Sequence, residues 1–138
     1  MKDLITSIAC IAILLAFVLQ FAQNQVIYNH IVFIDQEVSA FKEVLKQEGK
    51  ITSENETRLR TNISMHIGCE IGEISVSGTR DNVNRGGQIN YRVAVPVKGI
   101  IGAPEFWKIS KNENKINYVI SRYITSEHID NCQEGGDK

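Results

Sequence analysis

The chain has 138 residues, with 15 basic and 16 acidic side chains mixed along it and a formal charge of −1. That balance lacks the basic face of a nucleic-acid binder and the juxtamembrane polybasic cluster that would seek anionic lipid, so neither partner is expected. From Thr52 onward fewer than 90 residues remain, enough for one small domain whose core needs help from a neighbouring element.

The first element is a long helix over residues 1–48. Leu4 to Ala22 is almost wholly apolar, interrupted only by Thr6, Ser7 and Gln20, and no charge occurs between Asp3 and Asp35. At 1.5 Å per residue this run spans roughly 28 Å, about the hydrocarbon thickness of a bilayer, which predicts a transmembrane segment at about 4–22. The pattern then changes without a break. Ile27, Ile31, Ile34, Val38, Phe41 and Leu45 recur at steps of four and three, one apolar stripe that needs a protein surface to lie against. No Pro or Gly occurs before Gly49, which is the natural stop, and the rod is about 65 Å long. Ala22 with Gln20 two places before it makes a poor signal-peptidase site, so the expectation is an uncleaved anchor, with processing near the N-terminus as the alternative. Lys2 lies on one side of the run, and the first basic residue on the other is Lys42. The positive-inside bias predicts a single-pass cell-membrane protein with a cytoplasmic N-terminus and an extracytoplasmic domain at 49–130.

A short second helix follows Gly49-Lys50-Ile51. Ser53 with Glu56 has the form of a capping box, Leu59, Ile63, Ile67 and His66 form the expected inner face, and Gly68 ends it. From Glu73 the period becomes two: Ile74 and Val76 alternate with Ser75 and Ser77 up to Gly78. After a polar loop at 81–87, Ile89, Tyr91, Val93, Val95 and Val97 form one face of a long strand, which must end at Pro96 or lie at an edge. Phe106 to Ser110 and Lys115 to Thr125 read as a hairpin across Lys111-Asn112-Glu113-Asn114. The last strand sets Ile116, Tyr118 and Ile120 opposite Val119 and Tyr123. The expected fold is α+β: two helices on a four-stranded antiparallel meander, with a flexible tail at 131–138.

Chemistry is sparse. No nucleophile triad, Walker loop or paired-carboxylate signature occurs, and Gly86-Gly87 leads into a strand instead of a phosphate-binding helix, so neither an enzyme nor a cofactor is expected. Cys10 lies inside the apolar run. In an exported domain Cys69 and Cys132 are the candidate disulfide, worth roughly 4 kcal/mol by loop closure. The alternatives are free thiols, or a zinc site made of His66, Cys69, His128 and Cys132. Phe106-Trp107 reads as core plus rim, with a ligand-contact patch as the sharper alternative.

The plan of an apolar helix continuing into an amphipathic one under a small antiparallel sheet resembles type IV pilins and pseudopilins. The chain looks most like the short TadE-like, pilin-like proteins of Gram-positive bacteria and their mobile elements. The residues behind this are Gly49-Lys50-Ile51-Thr52-Ser53-Glu54, Glu73-Ile74-Ser75-Val76-Ser77-Gly78-Thr79 and Arg85-Gly86-Gly87-Gln88-Ile89. The resemblance implies a pilin-like structural or accessory component of a pilus, secretion or conjugation apparatus, with other membrane or pilin-like subunits as partners through helix packing. The competing expectation is a solitary membrane-tethered extracytoplasmic binding module. One departure stands out: no small residue opens a prepilin peptidase site, and no Glu occurs before Glu37.

Overall fold

A computed structural model of the chain describes residues 1–129. Helix α1 runs unbroken over Lys2–Glu48 and stops at Gly49, whose φ of 74° is the left-handed turn that glycine enters at little cost. A side chain is also excluded there on steric grounds. A Cβ on Gly49 would fall 2.7 Å from the Val83 carbonyl oxygen and 2.9 Å from the His128 Cβ. Two segments therefore converge on the end of α1, and they satisfy carbonyls that a helix terminus leaves unpaired. The Lys46 carbonyl accepts from the Glu127 N–H at 2.8 Å, and the Gly49 carbonyl accepts from the Val83 N–H at 3.0 Å.

Helix α2 (Ser53–Ile67) runs back antiparallel to α1. Asn55 donates to Glu48, Asn62 donates to Glu37, and His66 stacks on Phe33, so advancing along α2 means retreating along α1. Its capping box is one residue earlier than the sequence suggests. Thr52 is the cap and accepts from the Asn55 N–H, while the Asn55 side chain accepts from the Thr52 N–H. Leu59 and Ile63 are buried as expected, and Ile67 is half-buried. His66 is not part of the inner face: it is exposed and lies flat on Phe33, ring centres 3.6 Å apart.

The sheet has three strands, not four, in the order β1 (Ser75–Gly78), β2 (Gln88–Lys98), β3 (Lys115–Thr125), all antiparallel. The expected strand at Phe106–Ser110 is instead a set of tight turns, and β3 pairs directly with β2 from Gln88↔Thr125 to Lys98↔Lys115. Nor does the long strand end at Pro96. The Gly99 N–H donates to the Asn114 carbonyl and the Ser126 N–H to the Gly87 carbonyl, so odd-numbered residues of β2 exchange bonds with β3. Even-numbered ones face β1, as the Asn90 carbonyl accepting from Thr79 shows. Pro96 is even and lies beyond Ala94, the last β2 residue with a β1 partner. Its missing N–H therefore points where no ladder continues, which reconciles a proline with a central strand.

Ile89, Tyr91, Val93, Val95 and Val97 are all buried, with Val76 and Ile120 beside them on the flanking strands. The α1 residues Ile34, Val38, Phe41 and Leu45 close over this face, and Phe41 meets Tyr91 edge-on at 6.3 Å. The core is thus one cluster built from the second half of α1, α2 and the inner face of the sheet.

Candidate functional site

The two halves of α1 meet different surroundings. Along the apolar run, Leu4, Ile8, Ile11, Leu15, Val18 and Phe21 are all exposed, and so are the residues between them except Ala16 and Gln20, which are half-buried. The helix is long and apolar enough to cross a membrane, and its most apolar stretch has no residue buried within the chain. Along the second half the anticipated stripe is consumed internally. Ile34, Val38, Phe41 and Leu45 are buried, Ile27 and Ile31 are half-buried, and none of the six is left as a bare face for a second chain.

The register shows how the sheet is aligned on the rod. Its far end lies at Gly49, where the chain near Val83 and His128 converges. Going along β2, Tyr91 meets Phe41, and the neighbouring Tyr118 hydroxyl donates to the Asp35 carboxylate at 3.2 Å. Burial, then the Asp35 charge, pushes the Tyr118 hydroxyl above its ordinary pKa, so it stays a protonated donor. Past the end of β2, Gln23 Nε2 donates to the Gly99 carbonyl. Gln20 does more: its Nε2 donates to the Ile100 carbonyl and its Oε1 accepts from the Gly102 N–H, both at 3.1 Å. Gly102 lies so close to α1 that an added Cβ would be 3.2 Å from the Leu19 carbonyl oxygen. The β2–β3 connection is therefore fastened to the last turns of the apolar run. Asn114, buried, ties its neck by donating to the Ile101 carbonyl and accepting from the Ile101 N–H. Gln20 reads in the sequence only as an interruption of an apolar run, and its role depends on a contact some eighty positions away.

Two ion-pair clasps hold the outer parts of the domain. Glu56 is 12 % exposed and accepts from Arg60 at 2.5 Å and Arg80 at 2.8 Å, joining α2 to the segment after β1. Glu73 accepts from Lys98 at 2.7 Å; that contact holds the carboxyl below and the ammonium above their ordinary pKa values.

His66 and His128, two of the four residues expected for a zinc site, are not brought together. His66 sits against Phe33, whereas Nδ1 of His128 meets the Gln47 carbonyl oxygen at 3.0 Å. Those two levels are fourteen residues apart on α1, about 21 Å along the axis. Cys69 is buried past the end of α2, on the His66 side, and burial pushes its thiol pKa up, the opposite of an activated or metal-ready thiol. Cys132 lies outside the described residues. The expected Cys69–Cys132 disulfide therefore falls outside them as well. Among the described residues no group of three or more His, Cys, Asp or Glu gathers as a metal site. The groove between α1 and α2, lined by Glu37, Phe41, Glu48, Asn55, Arg58 and Asn62, holds about 160 Å³, below the size of a small-molecule site. No family model, curated protein or solved structure matches the chain.

Proposed function

We propose that the chain is a single-pass, membrane-anchored, pilin-like structural or accessory subunit of an envelope assembly such as a pilus, secretion or conjugation apparatus. The observation that carries this reading is the contrast along α1. Its second half is occupied by the chain's own domain, while its first half buries no side chain in that domain and meets it only at its last turns, near Leu19 and Gln20. A bare apolar helix of this length is suited to lipid and to other helices, and van der Waals packing between helices is how such segments associate in a bilayer. The N-terminus is cytoplasmic on this reading and the α+β domain lies outside. The contact with other subunits runs through the first half of α1, because the stripe from Ile27 to Leu45 is already used.

Cys10, exposed on the apolar half, is a native probe. In membranes carrying Cys69→Ala and Cys132→Ala, oxidation with copper phenanthroline is expected to yield a dimer through Cys10. If that position faces lipid, a dimer is expected through a cysteine moved round the helix to Ile11, Ala12 or Ile13. No crosslink from any of these positions would reject the subunit reading. It would leave the solitary tethered module, whose binding surface would then be the outer sheet face. That face carries Arg92, Val119 and Tyr123, the last 70 % exposed.

A further inference from the structure

The β2–β3 connection is built as a display. Its neck is fixed to α1 at Gln20 and Gln23 and braced by Asn114. Beyond the neck, successive tight turns fold the segment from Ala103 to Ile109. Phe106, Trp107 and Lys108 donate to the Ala103, Pro104 and Glu105 carbonyls, and Ile109 donates to Pro104 as well. Ala103 and Lys108, at the two ends, hold positive φ values of 51° and 55°, uncommon for residues with a side chain. What this strained turn presents is apolar. Phe106 is 77 % exposed and Trp107 55 % exposed, packed edge-on against each other at 5.1 Å instead of folding into the core.

The position of the turn identifies its occupant. The order of contacts Gly49, Phe41, Asp35, Gln23, Gln20 shows β2 running down the rod toward the apolar half, and the loop that ends it touches α1 at Leu19 and Gln20. That is the last turn before the run ends at Ala22, the level where a spanning helix passes from hydrocarbon to headgroups. Trp is enriched at that level, since its ring has an apolar body and one polar N–H.

We infer that the Phe106–Trp107 turn is a second membrane-contact site, seated in the interface of the same bilayer leaflet from which α1 emerges. This rests on the reading of α1 as a membrane span. The ligand is the phospholipid interface itself, and the contact sets the small domain down on the membrane instead of holding it clear on the rod. Gln20 and Gln23 are then positioning residues that fix the depth of the turn.

Trp107 is the sole tryptophan of the chain, so its fluorescence reports this turn alone. The full-length protein is reconstituted into phosphatidylcholine–phosphatidylglycerol vesicles whose acyl chains carry bromine either near the headgroup or near the methyl end. Blue-shifted emission is expected, with strong quenching by shallow bromine and weak quenching by deep bromine. Gln20→Ala/Gln23→Ala is expected to lose much of the shallow quenching while the protein stays with the vesicles. Unquenched, red emission from protein that still floats with vesicles and resists carbonate would overturn the inference and spare the spanning helix. Blue emission that is unquenched and depends on protein-to-lipid ratio would overturn it in favour of a contact between copies. Failure to float with vesicles would overturn both.

Discussion

The first and second halves of α1 share one backbone and differ in almost everything else. Residues 4–22 carry apolar side chains on nearly all sides and bury none of them in the chain, which touches this half only at its last turns. Residues 27–48 carry one stripe and receive cover along it, from the sheet on one flank and α2 on another. Helix continuity follows from the absence of Pro and Gly up to Gly49 and says nothing about surroundings. The arrangement of apolar side chains round the axis does that: a full circumference requires an apolar solvent, and a stripe requires one apolar partner. The join is made at Gln20 and Gln23, whose amides are polar enough to hold a loop and sit where the first regime gives way to the second.

The contrast breaks most sharply at the centre of the first half. Ile13→Asp with Leu14→Asp places two acids mid-run, each costing roughly 3 kcal/mol on insertion scales. Carbonate extraction is expected to release the double variant from membranes that retain the wild type. The counterpart in the second half is Phe41→Ala, which removes a buried ring lying edge-on to Tyr91. A loss of about 3–5 kcal/mol is expected, read as a drop in the thermal transition of the near-ultraviolet circular dichroism in detergent. Leu14→Ala, a comparable truncation in the first half, is expected to leave that transition unmoved, because no part of the domain rests on Leu14.

A smaller effect tests how the cover is held. Glu56→Gln keeps the shape but withdraws the carboxylate from Arg60 and Arg80. Since Arg80 is largely exposed, about 1 kcal/mol is expected, read from the same transition and diminished in high salt. The smallest effect concerns acid. His30 is held below its ordinary pKa of 6.5, chiefly by burial and then by the charge of His66, and its Nδ1 is buried with no hydrogen-bond partner among the described residues. The unfolded chain therefore takes up this proton first, and the contribution of neutral His30 is complete above about pH 6.5 and falls away as the pH drops toward the lowered value. A slight decline in melting temperature below pH 6.5 is expected, and His30→Gln should flatten it. Glu43, Glu73 and Glu113, held below 4.5 by their partners, add their own losses only in stronger acid.

Elements decided by periodicity were legible in the sequence: the long helix and its stripe, α2, and the alternation of β2. The misreadings occurred where a contact distant in sequence outweighs local pattern. Phe106 to Ser110 has aromatic and β-branched residues that suit a strand, but the neck at Gly99–Gly102 is already bonded to α1, and positive φ at Ala103 and Lys108 turns the chain away from any ladder. Pro96 suggested the end of a strand because its missing N–H was counted without the direction in which it points. The cap of α2 moved by one residue because Thr52 and Asn55 satisfy each other as well as Ser and Glu do. The candidate metal ligands His66 and His128 were grouped by spacing along the chain, whereas the antiparallel course of α2 and the end of the sheet at Gly49 carry them to opposite ends of the domain.

The difference between the two halves is tested most directly by scanning single cysteines along α1 in intact membranes, in a chain with Cys10, Cys69 and Cys132 replaced by Ala, using a water-soluble maleimide. Positions 4–22 are expected to be unreactive round the whole helix. Beyond them, Ile34, Val38, Phe41 and Leu45 should stay protected while Gln25, Asn29, Gln36, Ser39 and Gln47 react. Labelling within 8–18, or uniform labelling from 25 to 47, would contradict it.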